Sequence, residues 1–194
     1  AARAAGLAEP IFVGVRAQIE AALAGVGREA SREDLRDVAD PAEAARYAVG
    51  LVRRGEADFL MKGRLDTAVL LRAVVDREGG AGGGGTMSHF AIFEAPGYHK
   101  LLAVVDGGMI PYPTLAQKKD IILNTVDVLC RLGYENPKVG VLACVEKVNP
   151  KMPETVEADE LKAMNLRGEI PGCVVEGPIS YDCAVSSEIA QLKG

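Results

Sequence analysis

Two short strings of the sequence combine residue types that bind anions. Lys62-Gly63-Arg64 joins two cations to a glycine, and Thr86-Met87-Ser88-His89 follows a run of six glycines within residues 79–85. Cations and exposed backbone N–H groups suit a phosphate. Hydroxyls can donate to a phosphate or to a developing oxyanion, and an imidazole can carry a proton. The alternatives are a solvated surface pair and a glycine-rich loop with a structural histidine.

Further polar side chains follow apolar runs in the second half of the chain. Asn149 and Lys151 lie in a segment that two prolines restrict, and Glu176 and Asp182 flank the end of a late apolar run. Ligands of open α/β sheets bind at the carboxyl ends of the strands, so these residues are candidates for substrate binding. Asp182 has a second interpretation as the cap of the last helix. The same position after an apolar run adds Asp106 and Glu146.

Strand and helix signals alternate along the first half of the chain. Residues 10–14 predict a buried strand and residues 16–24 an amphipathic helix. Asp40-Pro41 predicts a helix start, since Asp caps and Pro fits the first helical position. Residues 31–34, with a serine and two acids, predict another helix start. Residues 57–63 predict a strand with Lys62-Gly63 at its carboxyl end.

The second half continues with clearer boundaries. Residues 90–93 and 101–105 flank a Pro-Gly turn and predict an antiparallel hairpin. Thr114 caps a predicted helix that runs through Arg131, and strands and helices alternate after it. This order predicts an α/β fold with a mainly parallel sheet. The glycine run marks a boundary between an N-terminal α/β domain of residues 1–85 and a second α/β domain of residues 86–194.

The composition narrows the class of partners. A net charge of -5 argues against nucleic acid, because phosphate backbones require a basic surface. The apolar runs are far shorter than a bilayer span and no signal peptide is recognisable, so we expect a cytoplasmic protein with no membrane contact. Four cysteines without a C-x-x-C pair, with only two histidines, disfavour a zinc site.

Four strings resemble the signatures of the phosphate butyryltransferase and phosphate acetyltransferase family. They occur in family order at residues 57–63, at 88–94, at 136–142 with 146–155, and at 176–182. The resemblance covers most of the chain from about Ala5 onward. It implies a three-layer α/β/α fold of two domains with an interdomain cleft, as in the isocitrate and isopropylmalate dehydrogenases.

The same resemblance implies a reaction in which a short acyl group, butyryl or acetyl, is exchanged between coenzyme A and inorganic phosphate. Acyl-CoA, phosphate and acyl phosphate are then the partners, no metal or prosthetic group is needed, and a homodimer or higher homo-oligomer is expected. Ser88 and Thr86 become the candidate catalytic residues. The candidate substrate-binding residues are Lys62, Gly63, His89, Asn149, Lys151, Glu176 and Asp182.

Family members continue beyond the position of this chain's last residue, so the chain is expected to be truncated relative to the family. The extension carries a Ser-Arg pair and an acidic residue that bind phosphate and assist catalysis in the family. Two alternatives stay open. One is a non-catalytic fragment that binds coenzyme A or forms oligomers. The other is an NAD-dependent β-decarboxylating dehydrogenase of the same fold, which would need an acidic metal site and an NAD site that the sequence does not show.

Overall fold

A computed structural model describes residues 2–29, 31, 34–76, 78–80 and 85–193. The chain divides into two compact units, Ala1–Gly84 and Gly85–Gly194. The described strands form three two-stranded sheets, of which two are parallel and one is antiparallel. The predicted mixed α/β architecture with parallel strands is therefore confirmed. The strands of the described residues are not joined into one continuous sheet.

The first unit places one parallel strand pair beside three α-helices, after a short 3-10 helix at Arg3–Ala5. Its elements are β1 (Phe12–Gly14), α1 (Arg16–Ala24), β2 (Leu35–Asp37), α2 (Pro41–Arg53) and α3 (Thr67–Val75). Phe12 lies opposite Leu35 in the parallel pairing. The core lies between α2 and α3, where Ala45, Val49 and Ala73 are buried. Burial of this small apolar stripe holds the two helices together.

Both helices of this core begin at a side-chain cap. The carboxylate of Asp40 accepts a hydrogen bond from the backbone N–H of Glu43 at 2.8 Å, and Pro41 takes the first helical position. Asp66 accepts from the N–H of Ala68 at 2.7 Å at the start of α3. Such caps satisfy backbone donors that the helix itself leaves unpaired. The predicted helix start at Asp40-Pro41 is confirmed.

Two predicted elements of the first unit are wrong. Residues 57–63 form no strand, because β1 and β2 pair only with each other and no described strand lies beside this segment. Met61 is 84% exposed there. In the predicted helix start at 31–34, Arg32 and Glu33 lie outside the described residues. The chain then enters β2 instead of a helix, since parallel pairing with β1 buries Leu35.

The second unit contains an antiparallel hairpin, a parallel pair and four described α-helices. Its elements are β3 (Ala91–Phe93), β4 (Leu102–Val104), α4 (Leu115–Arg131), β5 (Lys138–Leu142), α5 (Pro153–Leu166), β6 (Val174–Ile179), α6 (Tyr181–Val185) and α7 (Ser187–Lys193). Ile92 lies opposite Ala103, which confirms the predicted hairpin. In the parallel pair Val139 lies opposite Val175. No helix in the described part of the chain combines the length and apolar character needed to cross a bilayer.

The helix α4 is fixed at both ends by local interactions. The hydroxyl of Thr114 accepts from the N–H of Gln117 at 3.3 Å, while the Gln117 side chain accepts from the N–H of Thr114 at 2.9 Å. This reciprocal arrangement is a capping box. After the helix, Gly133 has a φ of 89°, a left-handed conformation that glycine adopts without strain. The predicted helix from Thr114 through Arg131 is confirmed.

The core of the second unit joins both long helices to the parallel strands. Its buried residues are Ile122, Val126, Leu161, Ile170, Cys173 and Val175. Asn165 closes this core at the end of α5. Its amide nitrogen donates to the carbonyl oxygens of Ile170 at 2.7 Å and Cys173 at 2.9 Å, and its oxygen accepts from the N–H of Val175 at 3.1 Å. One side chain therefore holds the backbone that enters β6.

Replacing Leu161 should destabilise the second unit. Leu161 is only 1% exposed, so Leu161→Ala removes buried apolar area and leaves a cavity, at a cost of about 2–5 kcal/mol in unfolding free energy. Leu166→Ala on the same helix is the matched control, because Leu166 is 79% exposed and should change stability by less than about 0.5 kcal/mol. Urea unfolding followed by circular dichroism measures both. Equal losses would contradict the assigned core.

Candidate active site

The loop at residues 85–90, which we call the hydroxyl loop, is anchored to α4. The hydroxyl of Thr86 donates to the carboxylate of Asp120 at 2.5 Å. The amide nitrogen of Asn124 donates to the backbone oxygen of Thr86 at 2.8 Å and to the hydroxyl oxygen of Ser88 at 3.3 Å. Asp120 and Asn124 are four residues apart and share one helix face. The helix therefore brings the two predicted catalytic hydroxyls to fixed positions.

His89 continues this loop and is held through its backbone. Its N–H donates to the carboxylate of Asp106 at 3.0 Å, which also accepts from Met109 at 3.2 Å and Ile110 at 2.8 Å. Burial opposes ionisation of Asp106, but these N–H donors outweigh it and lower the pKa of that carboxyl. The exposed ring of His89 makes no hydrogen bond to the described residues, so it is not paired with the Ser88 hydroxyl here.

A second group of polar side chains lies at the carboxyl ends of β5 and β6. We call it the strand-end cluster, and its members are Glu146, Ser180, Asp182, Cys183 and Lys193. Ser180 follows β6 directly, and its hydroxyl contacts the carboxylate of Glu146 and that of Asp182, the latter at 2.6 Å. One hydroxyl proton serves only one carboxylate at a time.

The ammonium group of Lys193 supplies the remaining donors of the strand-end cluster. Its nitrogen lies 3.2 Å from a carboxylate oxygen of Glu146 and 2.9 Å from one of Asp182. The Ser180 hydroxyl first, and Lys193 second, lower the pKa of Glu146 and that of Asp182, and the carboxylate that receives the single Ser180 proton has its pKa lowered to about 2. The two carboxylates in turn raise the pKa of Lys193. Both acids are thus ionised throughout the neutral range.

The same cluster has the donor atoms of a possible metal site. One ligand atom each of Glu146, Asp182 and Cys183 lies within 4.8 Å of the other two. However, the Lys193 ammonium already lies within hydrogen-bonding distance of both carboxylates. A cation is therefore supplied by the chain itself, and the geometry by itself does not call for an ion.

The predicted binding residues Asn149 and Lys151 lie next to this cluster in the chain. A cavity of about 640 Å³ is lined by residues 145–150 and Lys193. The side chain of Asn149 accepts from the N–H of Lys151 at 3.0 Å, while the buried hydroxyl of Thr155 accepts from the N–H of Asn149 at 2.9 Å. These bonds fix the turn that lines the cavity, and Asn149 and Glu146 are both among the lining residues.

Three of the predicted residues are members of neither group: Glu176, Lys62 and Gly63. Glu176 is on β6, where its carboxylate accepts from the ammonium of Lys162 at 2.5 Å. Lys62 belongs to the first unit and donates to the carbonyl of Leu65 at 3.0 Å. A Cβ placed on Gly63 would meet no atom of the described residues within 4 Å, so local packing there does not require glycine. Asp182, a member of the strand-end cluster, lies inside α6, and the last helix α7 begins only at Ser187, so Asp182 does not cap the last helix.

Three residues that organise these groups were missed by the sequence reasoning. Asp120 and Asn124 could have been found from their i, i+4 spacing on a predicted helix, since a mid-helix Asn is unfavourable unless its side chain serves a purpose. Lys193 offers no comparable signal, because a lysine near the end of a helix is ordinary. All three contact residues more than 30 positions away, and Lys193 also contacts Ser180 and Asp182, which are 13 and 11 positions away.

The parallel strands with polar side chains at their carboxyl ends, and a hydroxyl-bearing loop anchored on a helix, place the candidate site where α/β proteins bind their ligands. The family model described as "Phosphate acetyl/butaryl transferase" matches residues 19–194. The chain belongs to this family. The interpretation drawn from the four sequence strings is therefore confirmed.

Individual relatives agree with the family match. A phosphate butyryltransferase from Clostridium acetobutylicum is 42% identical over 97% of this chain, and a phosphate acetyltransferase from Thermotoga maritima is 41% identical over 96%. The crystal structure of a branched-chain phosphotransacylase from Enterococcus faecalis is similar with a TM-score of 0.70 and 30% identity, over 86% of this chain and 60% of that one. The chain spans 63% of the length of each of the two curated relatives.

Acidification should protonate Glu146 and Asp182 and so break the ion pairs of the strand-end cluster. The folded-state pKa values of Glu146 and Asp182 both lie below the ordinary values of 4.5 and 3.8. Their contribution to stability is therefore present above about pH 5 and is lost as the pH falls towards 2. Carboxyl carbon NMR titration measures both midpoints, and Lys193→Met should raise them. Lys147→Met, on the same cavity wall, is the control that should leave them unchanged. Midpoints at ordinary values in the unaltered protein would refute the cluster geometry.

Proposed function

We propose that the full-length protein exchanges a short acyl group between coenzyme A and inorganic phosphate. The observation that carries the proposal is the family match over residues 19–194, reinforced by relatives named phosphate butyryltransferase and phosphate acetyltransferase. These two relatives are almost equally similar to the chain, at 42% and 41% identity. Butyryl-CoA and acetyl-CoA are therefore both proposed as substrates.

The proposed chemistry is direct attack of a phosphate oxygen on the thioester carbonyl. A carbon–oxygen bond forms, the carbon–sulfur bond breaks, and the products are acyl phosphate and the coenzyme A thiolate, which takes up a proton. The carbonyl oxygen gains negative charge in the transition state, and a fixed hydrogen-bond donor lowers that barrier. Ser88 and Thr86 are our candidates for contacts to substrate, Ser88 as a donor and Thr86 as an acceptor, because Thr86 already donates its proton to Asp120. Positioning of both substrates supplies much of the remaining rate.

The proposed binding roles follow from whether the charge of each residue is already paired with an opposite charge. Lys62 is proposed to offset phosphate charge, since it is exposed and its one described hydrogen bond goes to a neutral carbonyl. Lys151 makes no ion pair with the described residues and, with Asn149, is proposed to shape the acyl-CoA site. Glu176 and Asp182 are already paired with lysines, so positioning fits them better than phosphate binding. Gly63 is proposed to contact substrate through its accessible main chain. His89 is proposed to contact substrate through its exposed ring.

Turnover is the direct test of the proposal. The full-length protein, given butyryl-CoA or acetyl-CoA, should release free thiol only when inorganic phosphate is added. NAD and Mg²⁺ should neither be needed nor give NADH. Binding of coenzyme A by calorimetry without any thiol release would favour the non-catalytic alternative. NADH formation from a β-hydroxy acid would favour the dehydrogenase.

Loss of the Ser88 hydroxyl should slow the reaction more than it weakens binding. Removing one donor that acts in the transition state lowers kcat on the order of 10²–10³-fold. KM for phosphate and for acyl-CoA should change little, because the contact strengthens as charge develops. Ser187→Ala, an exposed serine at the start of α7, is the matched control. Initial-rate kinetics of both variants decide the matter, and a normal kcat in Ser88→Ala would remove Ser88 from the mechanism.

Three finer features complete the proposal and rest on the family resemblance. The complete protein is proposed to adopt the three-layer α/β/α fold of two domains, to assemble as a homo-oligomer, and to work without a metal or prosthetic group. Light scattering after size-exclusion chromatography measures the assembly. Activity after exhaustive dialysis against a chelator measures the metal requirement, and loss of activity restored by a metal would overturn that part.

A further inference from the structure

The hydroxyl loop contains two hydroxyls whose hydrogen-bond directions differ. Thr86 lies 2.5 Å from a carboxylate oxygen of Asp120, and an ionised carboxylate can only accept. The Thr86 hydroxyl proton is therefore committed to Asp120. A hydroxyl used in this way can still accept a hydrogen bond, but it cannot donate to a phosphate or to a developing oxyanion.

The direction of the hydrogen bond at Ser88 follows from the orientation of the Asn124 side-chain amide. The terminal atom of the Asn124 amide that lies 2.8 Å from the carbonyl oxygen of Thr86 must be the nitrogen, because a carbonyl oxygen has no proton to donate. The same nitrogen lies 3.3 Å from the hydroxyl oxygen of Ser88. An amide nitrogen carries two protons and no acceptor site, so one proton goes to each oxygen. Ser88 thus accepts from Asn124 and keeps its own proton.

We infer that Asn124 is a positioning residue that orients Ser88 as the substrate-facing donor of the hydroxyl loop, while Thr86 serves to fix the loop through Asp120. Among the described residues, the Ser88 hydroxyl donates no hydrogen bond, and Ser88 is only half-buried. Its proton is available to an anionic oxygen. This assignment gives Ser88 and Thr86 different roles, although the sequence pattern made both of them candidate catalytic residues. Its kinetic consequence rests on the proposed acyl transfer, whereas the hydrogen-bond direction does not.

The first experiment tests the hydrogen-bond direction without any turnover. Ser88→Cys places a thiol on the oxygen position, in a background where the exposed Cys130 and Cys144 are replaced by Ser. An N–H donor stabilises a thiolate and a neighbouring carboxylate destabilises it. Adding Asn124→Asp should therefore slow alkylation by iodoacetamide at pH 7 about 10-fold, through a rise of about one unit in the thiol pKa.

A matched control makes this result specific. Asn136→Asp is the same chemical change on the turn between α4 and β5, where Asn136 has a φ of 49° that Asp also tolerates. It should leave the alkylation rate unchanged. Asn124→Ala removes the donor without adding charge and should slow alkylation to a smaller extent. An unchanged alkylation rate in Asn124→Ala would overturn the inference even if Asn124→Asp slowed the reaction, because a nearby negative charge raises a thiol pKa whatever the direction of the hydrogen bond.

The second experiment tests the positioning role in catalysis. In the full-length protein, Asn124→Asp should lower kcat about 10-fold or more, because Ser88 then donates to the new carboxylate instead of to substrate. In a Ser88→Ala background the same change should have little further effect on kcat. Additive losses would mean that Asn124 only supports the loop, and would overturn the positioning role. If the protein showed no acyl transfer, the proposed function would fail while the alkylation result still decided the hydrogen-bond direction.

Discussion

Parallel pairing of β5 with β6 is the constraint on which the second unit depends. Parallel strands end at the same edge of their sheet, so the segments that follow them meet there. Glu146 follows β5 and Ser180 follows β6, and the two side chains are in contact. Antiparallel strands would place these ends at opposite edges. The pairing is stable because α5 buries one face of β6 through Leu161, and because Asn165 holds the backbone that enters β6.

The helix α4 fixes the position of the hydroxyl loop. Contacts of the hydroxyl loop must offset the conformational entropy lost when its hydroxyls take fixed positions. Asp120 and Asn124 provide those contacts from one helix face. Ile122 and Val126 lie on the opposite face, two residues further along, and are buried in the core. One rigid helix thus connects the packing of the core to the geometry of the loop.

Features that depend on neighbouring residues in the chain could be predicted from the sequence, whereas features that depend on distant contacts could not. The helix through Arg131 is predictable because its cap at Thr114 and its apolar spacing are local. Residues 57–63 have the composition of a strand, but a strand also needs a neighbour, which composition does not reveal. Ser88 was predicted as a candidate because hydroxyls beside glycines are a recognisable pattern. Asn124 was not, since its role depends on a contact 36 residues away in the chain.

The charge around each candidate residue decides whether that residue is suited to contact an anionic substrate. In the strand-end cluster two carboxylates face one ammonium, so the group is negative overall when all three are ionised. Such a group repels phosphate and fits a framework for the adjoining cavity wall better than an anion site. In the proposed reaction, the developing oxyanion must then meet a neutral donor such as Ser88, whose hydroxyl donates no hydrogen bond among the described residues. Asn124 keeps the neutral donor available by presenting its N–H group to Ser88. The direction of one hydrogen bond therefore matters as much to the proposed chemistry as the placement of any charge.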